Sequence, residues 1–385
     1  MLETPTGVCI AGVGMTDFSK NSGRTTTRLA IEATLAALRD AGIPSEDVDG
    51  LVPYPMGPTA EDLMVPLGCR DVRFTATANM GGASAVAGVR LAAMAVAAGE
   101  ADVVVVFAAR NGRSGTTVTS RVRQLAGQEY RQGLEYPHGV NTPAQWYSLM
   151  ARRHMHDHGL TREALGTVAV TMREHAQLNP HAQMYGRPLT MDEYLASEPI
   201  ADPYLKYDCC LETDGAAAVV VTSPDRLGGD RPLVRLVGSA EGHPRPADDI
   251  VSRPDLRDVG LTLAAPRAFD MAGLTPADVD VALIYDCFTF EVIQQLEEAG
   301  FCARGEGGDF VLAGNIGLGG SLPVNPHGGL LSEGHVVGLN HVVEAVVQLR
   351  DEGGERQVRD ARVAAVTGWG DLGDGAILLL QKESA

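Results

Sequence analysis

Short β-branched runs alternate along this chain with longer alanine-rich stretches of helical period. Gly7 to Val13 predicts a first strand, Thr25 to Ala41 a helix, Val48 to Pro53 a second strand, and Val103 to Ala108 a third. Alternation of this kind is the pattern of an α/β protein with buried sheets. The scheme then recurs. Ala41-Gly42-Ile43-Pro44-Ser45-Glu46-Asp47-Val48-Asp49 lines up with Ala272-Gly273-Leu274-Thr275-Pro276-Ala277-Asp278-Val279-Asp280, with five of nine positions identical. Each copy reads as a helix C-cap glycine, a polar turn and a strand entry. The chain is therefore expected to be a duplicated α/β unit with halves at about 1–225 and 226–385. A long polar insertion, at about 110–207, interrupts the first half before Asp214-Gly215-Ala216-Ala217-Ala218-Val219 resumes the core.

At 385 residues there is room for a large core. The net charge of −18 disfavours nucleic acid and anionic membranes as partners. The longest apolar candidate, Leu91 to Ala109, is broken by Glu100 and Asp102, so no run approaches the roughly 20 residues of a membrane span. Met1-Leu2-Glu3-Thr4-Pro5 has no basic region followed by an apolar one. The six cysteines are scattered and Cys209-Cys210 are adjacent, a poor spacing for a disulfide or a tetrahedral metal site. A cytoplasmic protein without a metal of its own is the expectation.

Several segments carry candidate chemistry. Gly12-Val13-Gly14 invites a dinucleotide-binding reading, but Asp17 stands where a third glycine would be needed, and a tight strand-to-loop turn is preferred. His154 and His158 would share a helix face as metal ligands do, but no third ligand is near in sequence, so a solvated or capping cluster is expected. Tyr285 and Asp286 end the strand Val281 to Ile284, where α/β sheets present their chemistry; the alternative is a buried tyrosine and a helix-capping aspartate. From Ser321 to His335 runs a loop dense in Asn, Pro, His and Gly, ahead of a helix expected over Val336 to Arg350. Its glycines permit close backbone approach, and His327 and His335 are able to move a proton or donate to an oxyanion. The last strand region, Val363 to Gly375, contains no cysteine.

Four segments together resemble the thiolase superfamily, and most closely its sterol carrier protein X and lipid-transfer-protein branch. They are Asn79 to Val106, Cys209 to Ala216, Tyr285-Asp286-Cys287-Phe288-Thr289, and Asn325 to His335. Asp17 to Arg24, Phe301-Cys302 and Val347 to Arg350 resemble the aldolases of bacterial steroid side-chain degradation. The resemblance implies a duplicated, five-layer αβαβα fold that pairs as a homodimer. It places Gly82 where a thiolase carries its nucleophilic cysteine, and no cysteine follows Cys302 to act as the second.

Covalent Claisen chemistry is thus not expected, whereas a retro-aldol cleavage of a β-hydroxyacyl-CoA needs no covalent intermediate. By the same resemblance Tyr285 and His335 are catalytic, with Asp286 and His327 beside them, and His335 is the first choice of base; the aldolases carry tyrosine near its position. Gly82, Ser84, Asn325, Gly328 and Gly329 would bind substrate. No cofactor is implied beyond the coenzyme A of the substrate. A small zinc-containing OB-fold (DUF35-type) protein is the implied partner. A cysteine-independent acyltransferase, or a non-catalytic acyl-CoA-binding subunit, stays open beside the lyase.

Overall fold

The computed structural model describes residues 7–116, 120, 131–228, 231–245, 250, 252–256, 258–370 and 373–383. Part of the insertion, and Asp371 and Leu372 of the last glycine-rich segment, lie outside these residues.

In the first half, strand β1 (Cys9–Met15) leads into helix α1 (Thr26–Ala41), then β2 (Gly50–Pro53), α2 (Ala60–Leu67), β3 (Phe74–Thr75), α3 (Ser84–Ala97) and β4 (Val103–Asn111). The insertion folds as α4 (Pro143–His158), α5 (Arg162–Ala176), α6 (Met191–Leu195) and a two-stranded sheet of β5 (Pro199–Ala201) and β6 (Tyr204–Leu205). β7 (Asp214–Thr222) completes the half. The second half runs β8 (Leu233–Gly242), α7 (Gly260–Ala272), β9 (Val281–Leu283), α8 (Thr289–Glu298), α9 (Gly307–Leu312), α10 (Gly329–Ser332), α11 (Leu339–Leu349), β10 (Val363–Trp369) and β11 (Gly375–Glu383).

Nine strands join in the order β3-β2-β4-β7-β1-β8-β11-β10-β9. Read outward from the central pair, β1-β7-β4-β2 mirrors β8-β11-β10-β9, and the directions match: antiparallel, antiparallel, then parallel on each side. Helix α3 packs on β2 and β4 of its own half and on β8, β10 and β11 of the other. Helix α11 does the converse, touching β9, β10 and β11 and also β1 and β7. With α1 on the outside of β1, β4 and β7, and α7 outside β8 and β11, the layers are α, β, α, β, α.

The repeated sequence explains how each half is held. Gly42 and Gly273 close α1 and α7 in the left-handed region, at φ 67 and 65, where a Cβ would be strained. A single 3-10 turn follows in both copies. Asp49 then accepts the N–H groups of Asp102 and Val103 at 3.0 and 2.8 Å, and Asp280 accepts those of Arg362 and Val363 at 2.8 and 2.9 Å. The two aspartates thus tie the same pair of parallel strands in each half, and a carboxylate that takes two backbone N–H bonds is a strong tie.

Gly12 and Gly14 do not form a turn. Both lie inside β1, where a Cβ would run into the carbonyls of Ala37 and Ala33, so they let α1 settle directly on the strand. The predicted helix before Arg350 starts three residues late, at Leu339, because Val337 and Gly338 have φ 53 and 81. No described helix is long and apolar enough to cross a membrane.

Candidate active site

Tyr285 follows β9 by two residues and enters a slot left by two glycines. A Cβ on Gly82, just ahead of α3, would collide with the Tyr285 Oη and the Trp369 carbonyl; one on Gly338, just ahead of α11, would meet the Tyr285 ring at 2.8 Å. The phenol therefore fills the volume that a side chain on Gly82 would need. Its ring stands edge-on to His335 and His341, and its Oη lies 3.1 Å from His335 Nε2. Burial pushes the phenol well above its ordinary pKa, Cys287, Tyr54 and Cys210 add to this, and the positive charge of Arg110 opposes it.

His335 is half-buried, and its backbone N–H donates to Thr213 Oγ1 at 3.0 Å. Arg110 Nη1 lies 3.1 Å from its Nδ1, and Cys210 Sγ 4.0 Å from the same nitrogen. Burial pushes the Cys210 thiol up to about 12, so this nearest cysteine is a thiol and not the thiolate a nucleophile requires. A cleft of about 550 Å³ opens beside Arg110, lined also by Thr26, Pro55, Met56, Asn111 and Thr116.

Behind Tyr285 and His335 lies a buried polar frame. Asp286 accepts the N–H groups of Leu330 and Leu331 at 2.8 and 3.1 Å, and Gly329, at φ 64, leaves the space its carboxylate occupies. His341 Nε2 lies 3.1 Å from Asp286, and His341 Nδ1 is 2.9 Å from His327 Nε2. Desolvation holds His327 well below its usual pKa, with His341 adding to the shift. Asn325 bonds to both the N–H and the carbonyl of Ile284, extending the strand edge sideways. A Cβ on Gly328 would come within 2.8 Å of Ala176 of α5, so the glycine lets the loop pack closely on that helix.

The described part of the insertion braces this loop: His175 reaches the Asn325 carbonyl, Arg173 donates to Ser332, and Asn179 donates to Glu333. Burial raises Glu333 to about 8. On the opposite side Ser84 is 3% exposed and its hydroxyl accepts the Met80 N–H, as a helix-entry contact.

Of the residues singled out in the sequence, Gly82, Tyr285 and His335 meet. Asp286, His327, Asn325, Gly328, Gly329 and Ser84 form the frame around them. Arg110, Cys210 and Tyr54 were not expected at the site. Arg110 and Tyr54 stand at the C-terminal ends of β4 and β2, the same strand-end signal that pointed to Tyr285. The expectation of a solvated or capping histidine cluster is corrected for His154, which is 2% exposed and sits 3.0 Å from both oxygens of Glu297, while His156 is exposed and stands with His158 in the last turn of α4. Desolvation alone would raise that carboxyl, but His154 holds it below its usual range. Among the described residues no group of three His, Cys, Asp or Glu side chains is placed to hold a metal ion.

Fold and site together define a thiolase scaffold in which the Tyr285 phenol fills the space beside Gly82. Comparison with known families agrees: residues 8–225 match the thiolase N-terminal domain and 242–382 the thiolase C-terminal domain-like family. The chain belongs to the thiolase family. It is 44% identical over 351 residues to the 17-hydroxy-3-oxo-4-pregnene-20-carboxyl-CoA lyase of Mycobacterium tuberculosis H37Rv, covering 89% of this chain and 91% of that one. To a steroid side-chain-cleaving aldolase of Thermomonospora curvata it is 41% identical, over 98% and 99% of the two chains. A solved structure described as an Ltp2-ChsH2(DUF35) aldolase superposes with a TM-score of 0.91 at 39% identity, covering 98% of each chain.

Proposed function

We propose that this protein is a carbon–carbon lyase that cleaves a β-hydroxyacyl-CoA by a retro-aldol reaction, on a steroid side chain. The observation that carries the reading is the Tyr285 phenol, which occupies the space of the absent nucleophile at Gly82 with His335 beside it. A thiolase without an acyl-carrying sulfur retains the capacity to stabilise a thioester enolate, and an aldol cleavage uses that capacity alone. A base takes the β-hydroxyl proton, and the C–O bond becomes a carbonyl. The electrons of the breaking C–C bond pass to the α-carbon, and the resulting enolate is protonated there. The products are a ketone and a shorter acyl-CoA, with no net change in protons. The names of the relatives, a steroid side-chain-cleaving aldolase and a lyase of a hydroxylated steroid carboxyl-CoA, support this substrate class.

Two partners belong to the same proposal. One is a DUF35-type protein with an OB-fold and a zinc ribbon, supported by the description of the superposed aldolase. The other is a second copy of the chain, supported by β3 at the sheet's edge, which leaves one side of that strand open for pairing.

The test is to incubate a hydroxylated steroid carboxyl-CoA with the chain, alone and co-expressed with a DUF35 protein, and to measure ketone release and acetoacetyl-CoA thiolysis in parallel. Ketone release without thiolysis is expected, with sedimentation giving a dimer of this chain. Thiolysis without ketone release would overturn the lyase.

A further inference from the structure

Pairing of β9 with β10 stops at Leu283 and Val366, whereas β2 in the first half pairs with β4 one residue further, at Pro53 and Phe107. There the Tyr54 N–H carries the ladder on to the Phe107 carbonyl at 2.9 Å. In the second half side chains take over from the ladder. Asn325 bonds both the N–H and the carbonyl of Ile284, each at 2.8 Å. The Tyr285 N–H donates to Thr367 Oγ1 at 3.2 Å, and the Tyr285 carbonyl accepts from Gln295 Nε2 at 2.8 Å. Thr367 stands at the register position of Phe107, so a hydroxyl replaces a phenyl ring at the point where the two halves part.

The directions of these bonds are determined. Gln295 Nε2 faces two carbonyls, that of Tyr285 and that of Glu291 at 2.7 Å, and a carbonyl only accepts, so the amide nitrogen belongs on that side and Oε1 faces Thr367. The Thr367 hydroxyl then gives its one proton to Oε1 at 2.7 Å and keeps its lone pairs for the Tyr285 N–H. Thr367 and Gln295 are fully buried, and each of their side-chain polar atoms has a partner. A satisfied buried network of this kind specifies one arrangement. Continued backbone pairing would hold a strand end without desolvating a hydroxyl and an amide, which costs free energy. What the side chains add is a different course for the chain. We propose that Thr367 and Gln295 are positioning residues: they turn the end of β9 off the ladder and aim the Tyr285 side chain into the slot between Gly82 and Gly338. The slot is tight enough for aim to matter, since a Cβ on Gly338 would already lie 2.8 Å from the Tyr285 ring.

The expected change in turnover rests on the lyase reading; the placement of Tyr285 does not. Thr367→Val removes the hydroxyl at nearly constant volume, and Thr367→Ser keeps it. The ring 13C resonance of Tyr285 in the intact chain, assigned against Tyr285→Phe, should move in Thr367→Val and in Gln295→Met and stay close to its original position in Thr367→Ser. In ketone release, Thr367→Val should lower kcat about 10- to 10²-fold with KM changed little, the loss expected when a reacting group is misplaced by about 1 Å. Thr367→Ser should recover most of that loss. In a Tyr285→Phe background the same Thr367→Val change should cost little more, because residues that act through one group are not additive with its removal. A folded Thr367→Val with an unchanged Tyr285 resonance, or with the same loss of kcat in both backgrounds, would overturn the proposal. If Thr367→Val does not fold, Gln295→Met is judged by the same two criteria. An absence of ketone release in the unsubstituted protein would instead count against the lyase, leaving the resonance to decide the placement.

Discussion

Asp49 and Asp280 each accept two strand-entry N–H groups, Asp49 pairing with Arg73 besides, whereas Tyr54 and Tyr285, each five residues further on, have diverged. The Tyr54 backbone N–H donates to the Phe107 carbonyl, as in an extended ladder. At the matching place Tyr285 donates to the Thr367 side chain, whose hydroxyl donates in turn to Gln295, and Gln295 returns a bond to the Tyr285 carbonyl. Tyr54 stays half-exposed, and Tyr285 is buried between two glycines. The helices differ likewise. α3 buries alanine, valine, glycine and one serine, while α8 and α11 bury Glu291, Gln295, Glu297, His341, Glu344 and Gln348. Strand entries in a duplicated fold are constrained by register and capping, which are local; strand ends face the seam between the halves and are free to specialise.

The strongest way to break this comparison is to remove each phenol in turn. Tyr285→Phe should lower kcat by about 10²- to 10⁴-fold, the usual range for an acid–base group, with little change in melting temperature. Tyr54→Phe should cost only a few-fold, about 10-fold at most. Equal losses would mean that the two strand ends share the chemistry.

Gly82→Ala comes next, because its Cβ needs the space of the Tyr285 hydroxyl and the Trp369 carbonyl, and overpacking of this kind costs typically about 1–3 kcal/mol. Activity should fall with stability, and Gly82→Cys should not produce a thiolase. Unchanged stability by denaturant unfolding, or recovery of thiolysis by Gly82→Cys, would show that Tyr285 does not fill the slot.

Buried carboxyls of the second half offer a subtler contrast. Burial raises Glu291 to about 8, against an ordinary value of 4.5, and Tyr204 donates to it at 3.2 and 3.1 Å. A group whose pKa is higher when folded binds more protons in that state, so its contribution is complete below about 4.5 and is lost as pH rises through about 8. Glu291→Gln should therefore flatten the decline in melting temperature across that window and leave the acidic side nearly unchanged. An identical pH profile in the variant would refute the shift.

The smallest expected effect concerns the shared tie. Asp49→Asn and Asp280→Asn each weaken two charge-assisted bonds to backbone N–H groups, at a cost of about 1–2 kcal/mol. In chemical denaturation the two losses should agree to within the small contribution of the exposed Arg73 pair that Asp49 also makes. A larger loss at Asp280 than at Asp49 would show that the halves are less alike than their backbone hydrogen bonds.

Much of this was legible along the chain. The nine-residue repeat led to two equivalent helix ends and strand entries, since C-caps, 3-10 turns and buried strands depend on neighbours in sequence. The strand end at Tyr285 and the loop reaching His335 were visible for the same reason. Gly12 and Gly14 misled, because a glycine that admits a helix looks in sequence like one that makes a turn. His154 misled because its partner, Glu297, lies 143 residues away.

By itself, then, the sequence determined the alternation of strands and helices, the duplication, and the glycine at position 82, all of which are local patterns or residue identities. Only the tertiary structure decided that the Tyr285 hydroxyl fills the space beside Gly82, that Arg110 at the end of β4 reaches His335, and that the described part of the insertion braces the loop of the opposite half. Those facts depend on side chains brought together across 50 to 225 residues of chain, by strand order and helix packing that no stretch of sequence encodes alone.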